Sequence, residues 1–144
     1  MKPFLVLFLV GAAFTSLAMA QTRRVPVIFD TDIGDDIDDA LALALALQSP
    51  ELDVRLVTTV ADDVESRTRL AWKELGLFGR QDIPLATGAP EPLLDPRLPD
   101  KAAQFGILTA ADQPPASSRK RAADAIIETL MASPVKMTLI PVGR

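Results

Sequence analysis

The chain has 144 residues, with 15 basic and 19 acidic side chains, a formal charge of −4, and neither His nor Cys. That composition excludes disulfides, lipoprotein attachment, thiol nucleophiles, imidazole acid–base catalysis and zinc sites built on nitrogen and sulfur. The acidic balance also argues against a nucleic-acid surface, because Arg67, Arg69 and Lys73 are interleaved with acids and apolar positions.

The N-terminus carries Lys2, an apolar run over Phe4–Val10 and a small-residue site at Ala18-Met19-Ala20. Together these predict a secretory signal peptide over 1–20, cleaved before Gln21. Gly11, Thr15 and Ser16 dilute the apolar span, which disfavours a retained membrane anchor. Loss of Lys2 takes the charge from −4 to −5 and delivers residues 21–144 to the periplasm or the exterior, free of the membrane.

Val25 to Phe29 is short, apolar and β-rich, and reads as a buried strand. From Ile37 to Leu47 Ala and Leu alternate with period two. Both are strong helix formers, and Asp36 is placed to cap, so this stretch is expected to be a helix buried on nearly every face and ending at Ser49-Pro50. Asp53 to Val60 is β-branched and reads as a second strand. Val64 to Phe78 reads as a helix with Leu70, Leu75 and Phe78 in the core, Trp72 packed rather than exposed, and Gly79 as its stop. Ile83 to Ala86 is a brief third strand, and residues 88–118, rich in Pro, form a long loop of the kind that either covers a site or is mobile.

An amphipathic helix over Arg119–Ala132 should present Ala123, Ile126, Ile127 and Leu130, followed by a buried strand over Lys136–Val142. Strands alternating with helices predict an α/β fold with a mostly parallel, Rossmann-like sheet and flanking helices. A strand this close to Arg144 predicts a sheet incomplete at its C-terminal end, which a homo-oligomer would help to cover.

Asp30, Asp32, Asp35, Asp36, Asp38 and Asp39 fall within ten residues, directly after the first strand. Crowded carboxylates raise one another's pKa unless a cation neutralises them, and oxygen donors of this kind suit Ca²⁺ or Mg²⁺. In a parallel sheet, ligands bind beyond the carboxyl ends of the strands, where Asp30 and Asp32 fall. Asp38 and Asp39 in the first helical turn would converge with them, although complementing the helix dipole is an alternative role for that pair. Asp36 reads as a cap and Asp35 as a solvated turn residue. Asp62 and Asp63 lie on the same sheet edge, either extending the acidic pocket or forming an ordinary strand-to-helix turn with a cap.

The stretch Val27-Ile-Phe-Asp30-Thr-Asp32-Ile-Gly34 through Asp38-Asp39-Ala40-Leu-Ala-Leu resembles the N-terminal signature of the inosine-uridine preferring nucleoside hydrolases. The likeness continues through Ser49-Pro-Glu-Leu, Val57-Thr-Thr-Val60, Ile83-Pro-Leu-Ala-Thr-Gly88-Ala, Ala125-Ile-Ile-Glu128 and Met137-Thr-Leu-Ile-Pro-Val142-Gly143. The resemblance implies one Ca²⁺ and a metal-activated water that attacks the anomeric carbon of a ribonucleoside. It implies Asp32 as metal ligand and general base, Asp39 as ligand, Asp38 as contact to metal and ribose hydroxyls, and the Val142 carbonyl as a further ligand. Asp30 would support the loop.

The chain departs from the pattern in four ways. Two extra residues separate Gly34 from Asp38-Asp39, so Asp36 competes with Asp38 for the ligand role. The substrate-facing Gly-Asn after the second strand is Asp62-Asp63, which makes Asp63 the substrate-binding candidate. The expected His-Gly of the long loop is Phe105-Gly106. The family's later substrate-binding residues and a further Asp ligand have no counterpart in this sequence, so residues 21–144 alone are expected to be a weakly active portion of a hydrolase domain. The rival readings are a non-catalytic module for a cation or ribose-like sugar, and a phosphotransferase using Asp30 and Asp32.

Overall fold

The computed structural model describes residues 24–91 and 102–143. The leader predicted over 1–20 lies outside the described residues. Four parallel strands, β1 (Val25–Thr31), β2 (Leu52–Thr59), β3 (Leu85–Thr87) and β4 (Thr138–Pro141), form one sheet in the order β3-β2-β1-β4. Helix α1 (Ile37–Gln48) joins β1 to β2, α2 (Val64–Leu77) joins β2 to β3, and α3 (Ala122–Ala132) leads into β4.

Alternation along β1 sorts the core onto two faces. Val27 and Phe29 pack with Leu43, Ala46, Leu70, Ala71 and Leu75 of α1 and α2. Ile28 points the other way and packs with Leu56, Ala86 and Ala125 of α3. The chain steps outward from β1 to β3 with its helices on one face, then returns under α3 to place β4 on β1's other side. Strand order therefore reverses between β1 and β4, and the crevice above those two strand ends is where such sheets hold ligands.

Helix α2 ends as its sequence dictates. Arg80 N–H donates to the Leu75 carbonyl (2.8 Å) and Gly79 N–H to that of Gly76 (3.1 Å), with Gly79 left-handed at φ +65°. Behind the sheet edge, buried hydroxyls run from Thr59 to Thr68 (2.7 Å) and from Thr68 to Thr87 (3.0 Å), tying β2, α2 and β3 together.

Four expectations are corrected. Helix α1 buries only one side: Asp39, Leu43 and Ala46 face inward, while Ile37, Leu41 and Leu45 are 61–70% exposed. A period-two Ala/Leu pattern puts leucines on both sides of a helix, and the sheet covers one. Strand β3 starts at Leu85 rather than Ile83, because Pro84 has no N–H for the ladder and contributes only its carbonyl, to Val57 N–H at 3.0 Å. Helix α3 starts at Ala122, a separate 3-10 turn over Ala116–Arg119 preceding it, and it buries Ala122 and Ala125 while Ile127 and Leu130 are exposed. Small alanines let it lie close on Ala86. Strand β4 is a mostly exposed edge rather than a buried strand.

Candidate active site

The turn after β1 is built from within. Thr31, Asp32, Ile33 and Gly34 are buried, and the Thr31 hydroxyl accepts the Ile33 N–H at 3.0 Å. Gly34 has φ +135°, and a Cβ there would stand 2.6 Å from Cε1 of Phe105, so only glycine fits. Phe105 belongs to a 3-10 turn (Ala103–Ile107) that straps this loop: Gln104 N–H donates to the Gly34 carbonyl (3.1 Å) and its side-chain amide to the Asp36 carbonyl (2.5 Å). Asp30 accepts the Thr58 hydroxyl of β2 at 2.5 Å. Burial pushes the Asp30 carboxyl upward, Thr58 opposes that, and the nearby charge of Asp32 adds to it.

Asp39 lies in the first turn of α1 and is 8% exposed, like Asp32. Its carboxyl is pushed up to about 7, first by burial, then by a hydrogen bond with Asp32 and the charges of Asp32 and Asp38, with the Thr31 hydroxyl pulling the other way. Two carboxyls that act on each other across a loop and a helix N-terminus form an all-oxygen donor pair that matches a hard divalent cation.

The other predicted residues fall as follows. Asp38 is exposed beside Asp39, and Asp36 is exposed at the N-cap position without making a side-chain cap bond. Val142 follows β4 and packs its backbone on the acidic turn, Val142 N–H donating to the Asp30 carbonyl at 2.8 Å. A Cβ on the adjacent Gly143 would stand 2.9 Å from the Asp32 amide nitrogen, so the chain here runs against the turn. Asp63 caps α2, its two oxygens accepting Ser66 N–H (3.0 Å) and the Ser66 hydroxyl (2.6 Å). Among the described residues no set of three acidic side chains is gathered as a metal cage, and the structure brings together the pair Asp32 and Asp39.

Sequence reasoning missed Arg67. It is fully buried in α2, and its guanidinium reaches Asp35 at 2.9 Å and Asp62 at 3.4 Å. Asp35 is therefore an ion-pair partner rather than a solvated turn residue. The available signal was an excess of acids on two adjacent loops with a single arginine one helical turn beyond the second.

Comparison with known proteins shows the same architecture. The family model described as "Inosine-uridine preferring nucleoside hydrolase" matches residues 27–144. A non-specific ribonucleoside hydrolase, RihC, of Salmonella paratyphi B is 44% identical over 133 residues, which is 85% of this chain and 41% of that protein. A plant nucleoside hydrolase, PpNRh1, superposes with a TM-score of 0.68 at 32% identity, covering 83% of this chain and 39% of the other. An inosine-guanosine nucleoside hydrolase superposes with a TM-score of 0.65 at 27% identity, covering 83% and 38%. The chain thus spans about two fifths of the length of these relatives.

Proposed function

The chain belongs to the inosine-uridine preferring nucleoside hydrolase family, and from that premise we propose that it carries the cation-binding half of a site that hydrolyses the N-glycosidic bond of ribonucleosides. The observation that carries this reading is the meeting of the Asp32 and Asp39 carboxyls at the strand-order reversal between β1 and β4. We assign Ca²⁺ as the cation, held by Asp32, Asp39 and Asp38, with the Val142 carbonyl as a further donor. A bound Ca²⁺ supplies positive charge that acidifies water and attracts vicinal hydroxyls.

The protein's own groups do the rest. Asp32, held from below by the Thr31–Ile33 turn, accepts the proton of the attacking water. Asp38, exposed beside Asp39, takes the ribose hydroxyls. The carboxylates together stabilise the positive charge that develops on the sugar as the base departs. Asp63 reaches substrate only by releasing its cap on α2, so substrate contact is assigned to Asp38 first.

The test is ribose release from uridine and inosine by the purified protein. With Ca²⁺ present, ribose should accumulate at a rate well below the typical enzyme median of about 10 s⁻¹, and a chelator should stop it. Ca²⁺ binding without ribose release would favour a binding module instead. Release indifferent to chelation would remove the metal from the account.

Among the described residues no helix is long and apolar enough to cross a membrane. We place the mature protein in the periplasm or outside the cell on the strength of residues 1–20. Mass spectrometry of exported protein should find a chain starting at Gln21, and an intact Met1 on membrane-bound protein would contradict export with cleavage.

A further inference from the structure

A fully buried arginine needs a reason, because the protein must satisfy five donors and one charge away from water. Arg67 satisfies them on the two loops that flank the acidic site. From α2, its Nε donates to the Ala61 carbonyl (2.9 Å), one terminal nitrogen to the carbonyls of Asp32 and Ile33 (3.0 Å to the latter), and the other to the carboxylates of Asp35 (2.9 Å) and Asp62 (3.4 Å). The Phe105 ring covers it, 5.9 Å from centroid to guanidinium carbon.

Two features give this arrangement a purpose beyond charge balance. The bond to Asp32 is to its backbone carbonyl, so Arg67 fixes the peptide that sets where the Asp32 side chain projects. The loop after β2 is left-handed at two consecutive non-glycine residues, Ala61 (φ 68°) and Asp62 (φ 53°), and Arg67 grips both. Such conformations persist where the surroundings over-determine them. Arg67 thus ties two further acids, Asp35 and Asp62, to the same backbone that carries Asp32.

We infer that Arg67 is a positioning residue for the cation site, a guanidinium fork that locks the Asp32–Asp35 turn to the Ala61–Asp62 loop and so orients Asp32. The inference rests on the Ca²⁺ reading proposed above. It makes a prediction opposite in sign to that of simple electrostatics. Removing a positive charge beside a cation site should tighten binding by Coulomb's law, whereas removing the fork should weaken it. Lysine keeps the charge but cannot span these five acceptors with a single ammonium group.

The experiment titrates Ca²⁺ by calorimetry into the wild type, Arg67→Met, Arg67→Lys and Phe105→Leu, with circular dichroism reporting the fold. Tb³⁺ luminescence lifetimes in H₂O and D₂O then count the waters on the bound ion. Arg67→Met and Arg67→Lys should each weaken Ca²⁺ binding by about ten- to a hundredfold, the effect expected for groups that orient ligands. Bound Tb³⁺ should carry more water in both than in the wild type, because Asp32 is no longer aimed; a merely destabilised fold would leave that count unchanged. Tighter binding in Arg67→Met, or an unchanged water count in Arg67→Lys, would overturn the inference. If neither arginine variant folds, Phe105→Leu decides: it loosens the fork without changing charge, and wild-type affinity with wild-type hydration there would overturn it. A wild type that binds neither ion would instead defeat the Ca²⁺ reading, and this inference with it.

Discussion

Asp39→Asn should make the metal-free protein more stable at pH 8 while sharply weakening its response to Ca²⁺. In the fold the Asp39 carboxyl is raised to about 7 by burial and by its neighbours Asp32 and Asp38, against an ordinary 3.8. A carboxyl whose folded pKa lies above its unfolded value costs stability when ionised. The cost is complete above pH 7, shrinks as pH falls from 7 towards 3.8, and is absent below that. Asparagine carries no such cost, so the variant gains at pH 8 and gains nothing at pH 3.5. After allowance for screening by water at this partly accessible pair, the gain at pH 8 is about 1–2 kcal/mol, or a rise in Tm of about 5 °C.

Ca²⁺ reverses the order. A cation that binds only the folded protein stabilises it by about 2.7 kcal/mol at a hundred times its Kd, and losing one anionic ligand should weaken binding by about a hundredfold or more. Thermal melts at pH 8 should therefore cross, Asp39→Asn melting higher in chelator and wild type melting higher in excess Ca²⁺. Parallel shifts in both proteins would remove Asp39 from the ligand set, and a crossing produced by Asp36→Asn instead would identify Asp36 as the ligand.

Gly34→Ala should be the most damaging single methyl group in the acidic turn. Alanine there must adopt φ +135° and place its Cβ 2.6 Å from the Phe105 ring and 3.1 Å from Ala102 Cβ. Backbone strain costs about 1–3 kcal/mol and the overlap a similar amount, together about 3–5 kcal/mol of the 5–15 kcal/mol that a domain holds. Two other glycines separate these effects. Gly79 has φ +65°, and a Cβ there would meet nothing within 4 Å, so Gly79→Ala should cost about 1 kcal/mol through the backbone alone. Gly106 has open space and no left-handed φ, so Gly106→Ala should be close to neutral. Urea denaturation should rank the midpoints Gly106→Ala, Gly79→Ala, Gly34→Ala from highest to lowest. Equal midpoints for the last two would mean that Phe105 moves aside and does not brace the turn.

The sheet was legible because β1 and β2 consist of apolar and β-branched runs with one structural solution. The acidic turn was legible because its residues are consecutive and its place after a strand is set by topology. What escaped was whatever depends on residues far apart in the chain. Nothing in Glu65-Ser66-Arg67-Thr68 reveals that Arg67 crosses to a turn more than thirty residues earlier, and this contact takes Asp35 and Asp62 into an internal ion-pair network. The outer side of α1 was misjudged for the same reason: composition identifies a helix, but only the layer count shows which side is covered. Asp63 held two readings at once, and the local one is seen, a carboxylate capping its own helix through Ser66.

The central claim is that Asp32 and Asp39 hold a divalent cation where the strand order reverses. A crystal structure of the protein grown in Ca²⁺ tests it most directly. The account predicts a single strong peak bonded to oxygens of both Asp32 and Asp39 beside the Val142 backbone, with Asp35 and Asp62 still paired to Arg67. A well-ordered turn with the two carboxyls in contact and no ion between them, or Ca²⁺ bound at Asp36 or Asp62 instead, would contradict it.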